Sequence, residues 1–189
     1  MTAYACLPRP CIAHQNYALR TIAPADIELI RQWRNAQMDV LRQQREISPV
    51  EQVVYYERQI WPALSDPQPH NLLMAYLQDD RLIGYGGLVH IAWEHRRAEV
   101  TFLLDTARTH NLAGYRNDLL IFLQLMKTLA FDDLKFQRLF TETFAIRPHH
   151  ISVLEAADFR HEGTLRQHVI IDGRLVDSLI HGCLDCYVR

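Results

Sequence analysis

The residues best able to do chemistry lie in the middle of the chain. A strand-like run, Glu99-Val100-Thr101-Phe102-Leu103-Leu104, feeds a loop, Asp105 to Gly114, and then a long amphipathic stretch. Strand, small-residue loop and helix N-terminus together make a phosphate site, because backbone N–H groups and the positive end of the helix dipole face the anion. Within the loop, Arg108-x-x-Asn111-x-Ala113 combines a cation with small or turn-tolerant positions. Asn is the non-glycine residue that best accepts left-handed backbone. The same spacing also fits an ordinary strand-to-helix connection. Two carboxylates accompany the loop. Glu99 opens the preceding run and, by alternation, shares a face with Thr101 and Leu103, opposite Val100 and Phe102. Glu142 stands between Thr141 and Thr143 in a second strand-like run. A carboxylate mid-strand is uncommon unless it is paired or functional. His90 and His168 are weaker acid–base candidates.

These groups need a scaffold, and the periodicities supply one. Residues 1–16, with Pro8 and Pro10 and no pattern after them, read as an N-terminal extension, followed by a single domain over 17–189. Residues 17–22 alternate as a strand. Pro24 opens a helix ending near Asn35, with Ile27, Ile30 and Trp33 on one face. Ser48-Pro49-Val50-Glu51 is a capping box starting a helix to about Trp61, with faces defined by Val53, Val54, Glu57 and Ile60. Three strands follow: 71–78, 82–90 after an Asp79-Asp80-Arg81 turn, and 98–104. Gly84, Gly86 and Gly87 within the second mark a bulge or close backbone approach. Leu119, Leu120, Leu123, Met126, Leu129 and Ala130 give the helix after the loop its apolar stripe. A strand over 139–144, a short helix over 149–157 and a hairpin around Asp172-Gly173 complete the chain. The order implies an α/β sandwich with a mixed sheet.

Composition narrows the partners. The chain has 189 residues, is 49% hydrophobic and 22% charged, and carries a net charge of −2. That balance suits a soluble, core-forming domain and argues against a general nucleic-acid binder or a partner membrane. With no membrane-length apolar run and no signal-peptide pattern, a cytoplasmic protein is the default expectation. Cys6, Cys11, Cys183 and Cys186 sit at the two ends. Cys183-x-x-Cys186 has metal spacing, but the first pair is widely spaced, so free thiols and no metal are expected.

Against this background the loop resembles the Arg/Gln-x-x-Gly-x-Gly/Ala pyrophosphate loop of the GCN5-related N-acetyltransferases, the GNAT superfamily. The segment from His150 to Arg166 is similar to that family's Asn-x-x-Ser-x-x-x-Leu-Glu-x-x-Gly-Phe-x-x-Glu-Gly-x-Leu-Arg pattern. Leu154-Glu155, Phe159, Glu162-Gly163 and Leu165-Arg166 stand in place. The branch carrying this pattern modifies ribosomal-protein N-termini and the amines of sugar nucleotides and antibiotics. Arg31-x-Trp33-Arg34-Asn35 is similar to a run in acetyltransferases of nucleotide-linked amino sugars. The resemblance spans about 17–182. It departs at Arg147 for Asn, Asp158 for Gly, Asn111 for Gly, and Leu154, where many members have the Tyr that protonates the thiolate.

The resemblance implies a mostly antiparallel mixed sheet with about four helices, and acetyl-CoA as acyl donor to a small-molecule amine. It implies acyl-arm contacts from Phe102, Leu103 and Leu104. Arg108, Asn111, Leu112, Ala113 and Gly114 would hold the pyrophosphate, and Arg116 the 3′-phosphate. The general base would be Glu99 or Glu142 and the thiolate acid Tyr115. Trp33, Arg34, Asn35 and His181 would line the acceptor side. A nucleotide-linked amino sugar is the expected acceptor. A protein N-terminus is the alternative, and the altered loop also fits a non-catalytic binding module. Exposed C-terminal strand edges make a homodimer a further expectation.

Overall fold

The computed structural model of the chain describes residues 3–188. Eight strands form one sheet: β1 (Cys11–His14), β2 (Tyr17–Thr21), β3 (Leu72–Gln78), β4 (Arg81–Ala92), β5 (Arg97–Leu104), β6 (Arg138–Phe144), β7 (Arg160–Ile171) and β8 (Arg174–Leu184). Their spatial order is β1-β2-β3-β4-β5-β6-β8-β7, and every pairing is antiparallel except β5 with β6. Helices α1 (Ile27–Ala36) and α2 (Pro49–Tyr55) cover one face. Helices α3 (Leu112–Lys127) and α4 (Pro148–Ala156) cover the other.

Central strand β3 shows why two layers of helix are needed. Leu72, Met74 and Tyr76 pack beneath α3, while Leu73, Ala75 and Leu77 pack beneath α1 and α2. A strand apolar on both faces must be buried on both. The glycines of β4 mark the close approach their position implies. A Cβ on Gly86 would lie 2.2 Å from the Thr101 carbonyl oxygen and 2.6 Å from the Phe122 ring. The two hairpin turns carry positive φ at Asp79 and Asp80 and at Asp172 and Gly173, as two-residue turns of this hand require.

Three expectations about elements are corrected. Residues 3–16 are not an irregular lead-in. β1 pairs with β2, and the buried Tyr4 hydroxyl accepts from the Leu73 N–H at 3.0 Å. Helix α1 starts at Ile27 rather than Pro24, because Asp26 accepts from the Ala23 N–H at 2.7 Å and holds residues 23–26 as a turn. The second helix keeps its Ser48–Glu51 capping box but widens into a π-helical turn at Tyr56–Ile60. Its buried face is therefore Gln52, Tyr56 and Ile60, and Val53 is exposed. Among the described residues no helix is long and apolar enough to cross a membrane, all four cysteines are free thiols, and no cluster of three metal-binding side chains forms.

Candidate active site

The parallel pair creates the site. β5 and β6 are in register only at Arg97–Arg138, Ala98–Leu139 and Glu99–Phe140. Beyond Glu99 the strands part, β5 staying with β4 and β6 with β8. Val100, Thr101 and Phe102 then face Thr141, Glu142, Thr143 and Phe144 across a cavity of about 310 Å³. Backbone groups on the facing sides of such a gap have no strand partner and are free for an inserted ligand. Phe102 borders this space. Leu103 and Leu104 are buried in the cores on opposite faces instead, so any contact of theirs with an acyl arm would be through backbone.

Both candidate bases meet at the point of the gap. Glu99 and Glu142 share one partner, Arg42: a single guanidinium nitrogen donates to Glu99 Oε1 at 2.9 Å and to Glu142 Oε2 at 2.6 Å. Behind each carboxylate stands an exposed histidine, His90 Nε2 at 3.8 Å from Glu99 and His168 Nε2 at 3.6 Å from Glu142. Two carboxylates held by one removable cation, each with a route to water through an imidazole, can accept a proton from an amine and release it to solvent.

The start of α3 lies at the outer end of the gap. Asn111 is its N-cap, with an extended φ of −92° rather than left-handed backbone, and its Oδ1 accepts from the Gly114 N–H at 3.1 Å. Asn therefore fits this position as a cap, and it occupies one donor that a phosphate would otherwise use. The N–H groups of Leu112 and Ala113, in the first helical turn, have no intrahelical carbonyl to bond and suit a pyrophosphate. Arg108 does not point there. Its guanidinium turns inward onto the buried Asp118, at 2.9 and 3.1 Å, and onto Gln78 at 2.8 Å. Asp118 also accepts from Tyr17 at 2.9 Å. The expected side-chain clamp on pyrophosphate is thus a structural ion pair that fastens the loop to β2 and β3. Arg116 is exposed on the helix surface, where it is free to meet a phosphate.

Between the gap and the α3 terminus sits a buried polar chain. Tyr115, nearly inaccessible, accepts from Arg147 at 3.0 Å and lies 2.6 Å from His150 Nδ1. Burial raises the Tyr115 hydroxyl above its ordinary value, and the Arg147 guanidinium works against that rise. Burial, then Arg147, His181 and His149, hold His150 well below the usual histidine range, so its ring is neutral. Tyr115 is therefore in the site but does not open onto the gap; Arg147 and His150 do.

The acceptor side adjoins the gap at Arg34 and Thr101, which line both. It is a cavity of about 400 Å³ walled by Tyr55, Tyr56 and Tyr85, with Arg34 and Arg45. Arg34 is aimed there by a bond to the Tyr85 hydroxyl at 2.6 Å. Other expected acceptor residues fall elsewhere. Trp33 is a core residue, 4% exposed and packed with Ile30 and Tyr56. Asn35 is a brace, its Oδ1 accepting from the Ile47 N–H and its Nδ2 donating to the Ile47 carbonyl, both at 2.9 Å. His181 is fully buried in β8 between Thr141 of β6 and His161 of β7, behind the lining of the gap rather than in it. Arg42, Arg45, Tyr85 and His150 were not read as site residues from sequence. Arg42 and Arg45 lie in the unpatterned segment 37–47, where no periodicity assigns a face.

Comparison with known proteins agrees with this geometry. The sequence profile described as the acetyltransferase (GNAT) domain matches residues 19–180. A spermidine N-acetyltransferase from Vibrio cholerae, solved with CoA and spermine, superposes with a TM-score of 0.78 at 19% identity, over 93% of this chain and 100% of that one. A probable GNAT-family acetyltransferase from Chromobacterium violaceum gives a TM-score of 0.75 at 15% identity, over 97% and 90%. No curated protein matches the chain. At these identities the structural likenesses establish the fold.

Proposed function

Because the chain belongs to the GNAT acetyltransferase domain family, whose members transfer an acetyl group from acetyl-CoA, we propose that it acetylates the primary amine of an anion-bearing small molecule, a nucleotide-linked amino sugar. The observation that carries this is the donor set of the acceptor side. Arg34, bonded to Tyr85 and Gln43, lines the cavity beside three tyrosines, with Arg45 held there by Glu51 at 2.6 Å and Arg42 held at the gap by the two carboxylates. Arginine forks bind phosphate in pairs of hydrogen bonds, and tyrosine faces accept a base or sugar ring.

The residues present fit acetyl-CoA. The gap between β5 and β6 is open to a strand-like arm, and its unpaired β5 N–H groups suit an amide chain and the thioester oxygen. Attack requires a neutral amine. Glu99 or Glu142 takes its proton once the substrate ammonium has displaced the Arg42 nitrogen, and His90 or His168 passes it to water. The amine nitrogen then bonds to the thioester carbon and the C–S bond breaks.

The test is a CoA-release assay with nucleotide-linked amino sugars, a peptide bearing a free N-terminus, and spermidine. Saturation with the first supports the reading. Saturation with the peptide alone points to a protein N-terminus. Absence of acetyl-CoA binding at millimolar concentration would leave a non-catalytic module. If Glu99→Gln and Glu142→Gln each keep full turnover, neither is the base.

A further inference from the structure

The thiolate released in this reaction needs a proton, and the expected donor, Tyr115, lines the cavity beside the start of α3 but not the gap. Helix α4 sends two residues to the gap, His150 and Leu154, and of these only His150 carries an exchangeable proton. His150 also borders the second cavity, of about 400 Å³, which runs between the β6–α4 connection and the start of α3. It therefore stands where the space suited to the acyl group joins the space suited to the phosphate-bearing part of the donor. A thiol linking those two parts would lie beside Val40, Arg147 and His150, which line both spaces.

Hydrogen-bond saturation points to the ring nitrogen that holds the proton. Arg147 can only donate, so the Tyr115 oxygen accepts from it at 3.0 Å. The arrangement that also gives the Tyr115 proton a partner sends it to His150 Nδ1, at 2.6 Å. Nδ1 is an acceptor in that bond, and a neutral imidazole with an acceptor Nδ1 carries its proton on Nε2. We infer that His150 is the catalytic residue that donates its Nε2 proton to the departing thiolate, with Tyr115 and Arg147 as the positioning residues that set its tautomer. This rests on the acetyl-transfer reading above.

The step balances. The C–S electron pair leaves on sulfur, and sulfur takes the Nε2 proton. Nδ1 takes the Tyr115 proton in the same movement, so the imidazole stays neutral and does not become an anion. The phenolate left behind lies beside the Arg147 guanidinium. The second proton, lost from the amine nitrogen as the amide forms, returns through water to restore the tyrosine, while the first, from the ammonium, has gone to solvent. The Tyr115→His150→sulfur relay thus needs no charged histidine, in keeping with a ring whose burial holds it neutral.

Two measurements test this. In protein labelled with ¹⁵N-histidine, the ring of His150, assigned by its loss in His150→Leu or His150→Gln, should show a protonated Nε2 and an unprotonated Nδ1. Free CoA should shift the Nε2 resonance. In steady-state kinetics His150→Leu should lower kcat about 100-fold, the lower end for general acids, with the acetyl-CoA Kd within threefold. Tyr115→Phe should lower kcat about tenfold and populate both tautomers. A proton on Nδ1, an Nε2 signal untouched by CoA, or kcat within threefold of the parent in His150→Leu overturns the inference. Should His150→Leu fail to fold, the tautomer of the parent protein still decides. Should the parent transfer acetyl to no acceptor, the proposed reaction falls, while the resonance shift with CoA still reads His150.

Discussion

Arg108 separates a ligand-holding loop from a loop that is itself held. Its guanidinium makes two bonds to Asp118, whose side chain is 2% exposed, while the Arg108 side chain is 32% exposed. Replacing it by Ala leaves a buried carboxylate whose remaining side-chain donor is the Tyr17 hydroxyl at 2.9 Å. Removing one partner of a buried pair costs about 3–5 kcal/mol. For a domain of this length each kcal/mol moves Tm by about 2–4 °C, so Arg108→Ala should melt roughly 10 °C lower. Asp118→Asn in the same chain removes the stranded charge and should recover about half of that loss. Thermal unfolding followed by circular dichroism gives Tm, and calorimetry at a temperature where both proteins are folded gives the acetyl-CoA Kd. The Kd should change less than threefold. An unchanged Tm with a tenfold weaker Kd would refute this reasoning and restore Arg108 as a phosphate ligand.

Further outcomes follow from the same geometry. Arg42→Ala should raise KM for an anion-bearing acceptor about tenfold and lower KM for a purely cationic amine, because the cation between Glu99 and Glu142 is gone; equal changes for both acceptors in steady-state assays would remove Arg42 from recognition. Asn111→Gly frees the Gly114 N–H for a charge-assisted bond of about 1.5 kcal/mol or more, so calorimetry should show acetyl-CoA binding about tenfold tighter; weaker binding would mean that the Asn111 amide itself contacts the ligand. His150 and His181 are both lowered in the fold, first by burial. The unfolded chain therefore binds protons that the fold refuses below pH about 6.5. Urea stability should be full above that pH and fall by up to about 1.4 kcal/mol per histidine for each pH unit below it. A flat profile between pH 6.5 and 5.5 would contradict the neutral, buried rings.

Local rules were legible in the sequence. The Ser48 capping box and the Asp79-Asp80 and Asp172-Gly173 turns depend on residues close along the chain, and each forms as its spacing implies; the α3 stripe does so only in part, since Leu129 and Ala130 fall in a π-helical turn after Lys127 and Ile121, Phe122 and Leu125 are buried as well. Strand β1 was not legible, because four residues behind two prolines carry no readable period; it exists through pairing with β2. Trp33 shows the limit of periodicity. Its spacing from Ile27 and Ile30 puts it on their face, and only packing shows that this face meets the sheet rather than the cleft. Glu99 and Glu142 were legible as carboxylates in unusual places. Their shared partner was not, since Arg42 lies 57 and 100 residues from them. The neutral state of His150 has the same origin, being set first by burial and then by Arg147, His181 and His149, which the chain brings together only on folding.

The three-pair junction of β5 with β6 has a mechanical consequence. In the sheet, strands β1 to β5 form one leaf and β6, β8 and β7 another, and the ladder between them is only Arg97–Glu99 against Arg138–Phe140. At the end of that short spine, Arg42 fastens Glu99 of one leaf to Glu142 of the other. A ligand arm lying in the gap would supply the absent rung and lengthen the spine, whereas an acceptor ammonium would undo the Arg42 clasp. The two substrates would then act on the stiffness of the molecule in opposite senses, one splinting the leaves together and the other releasing their latch.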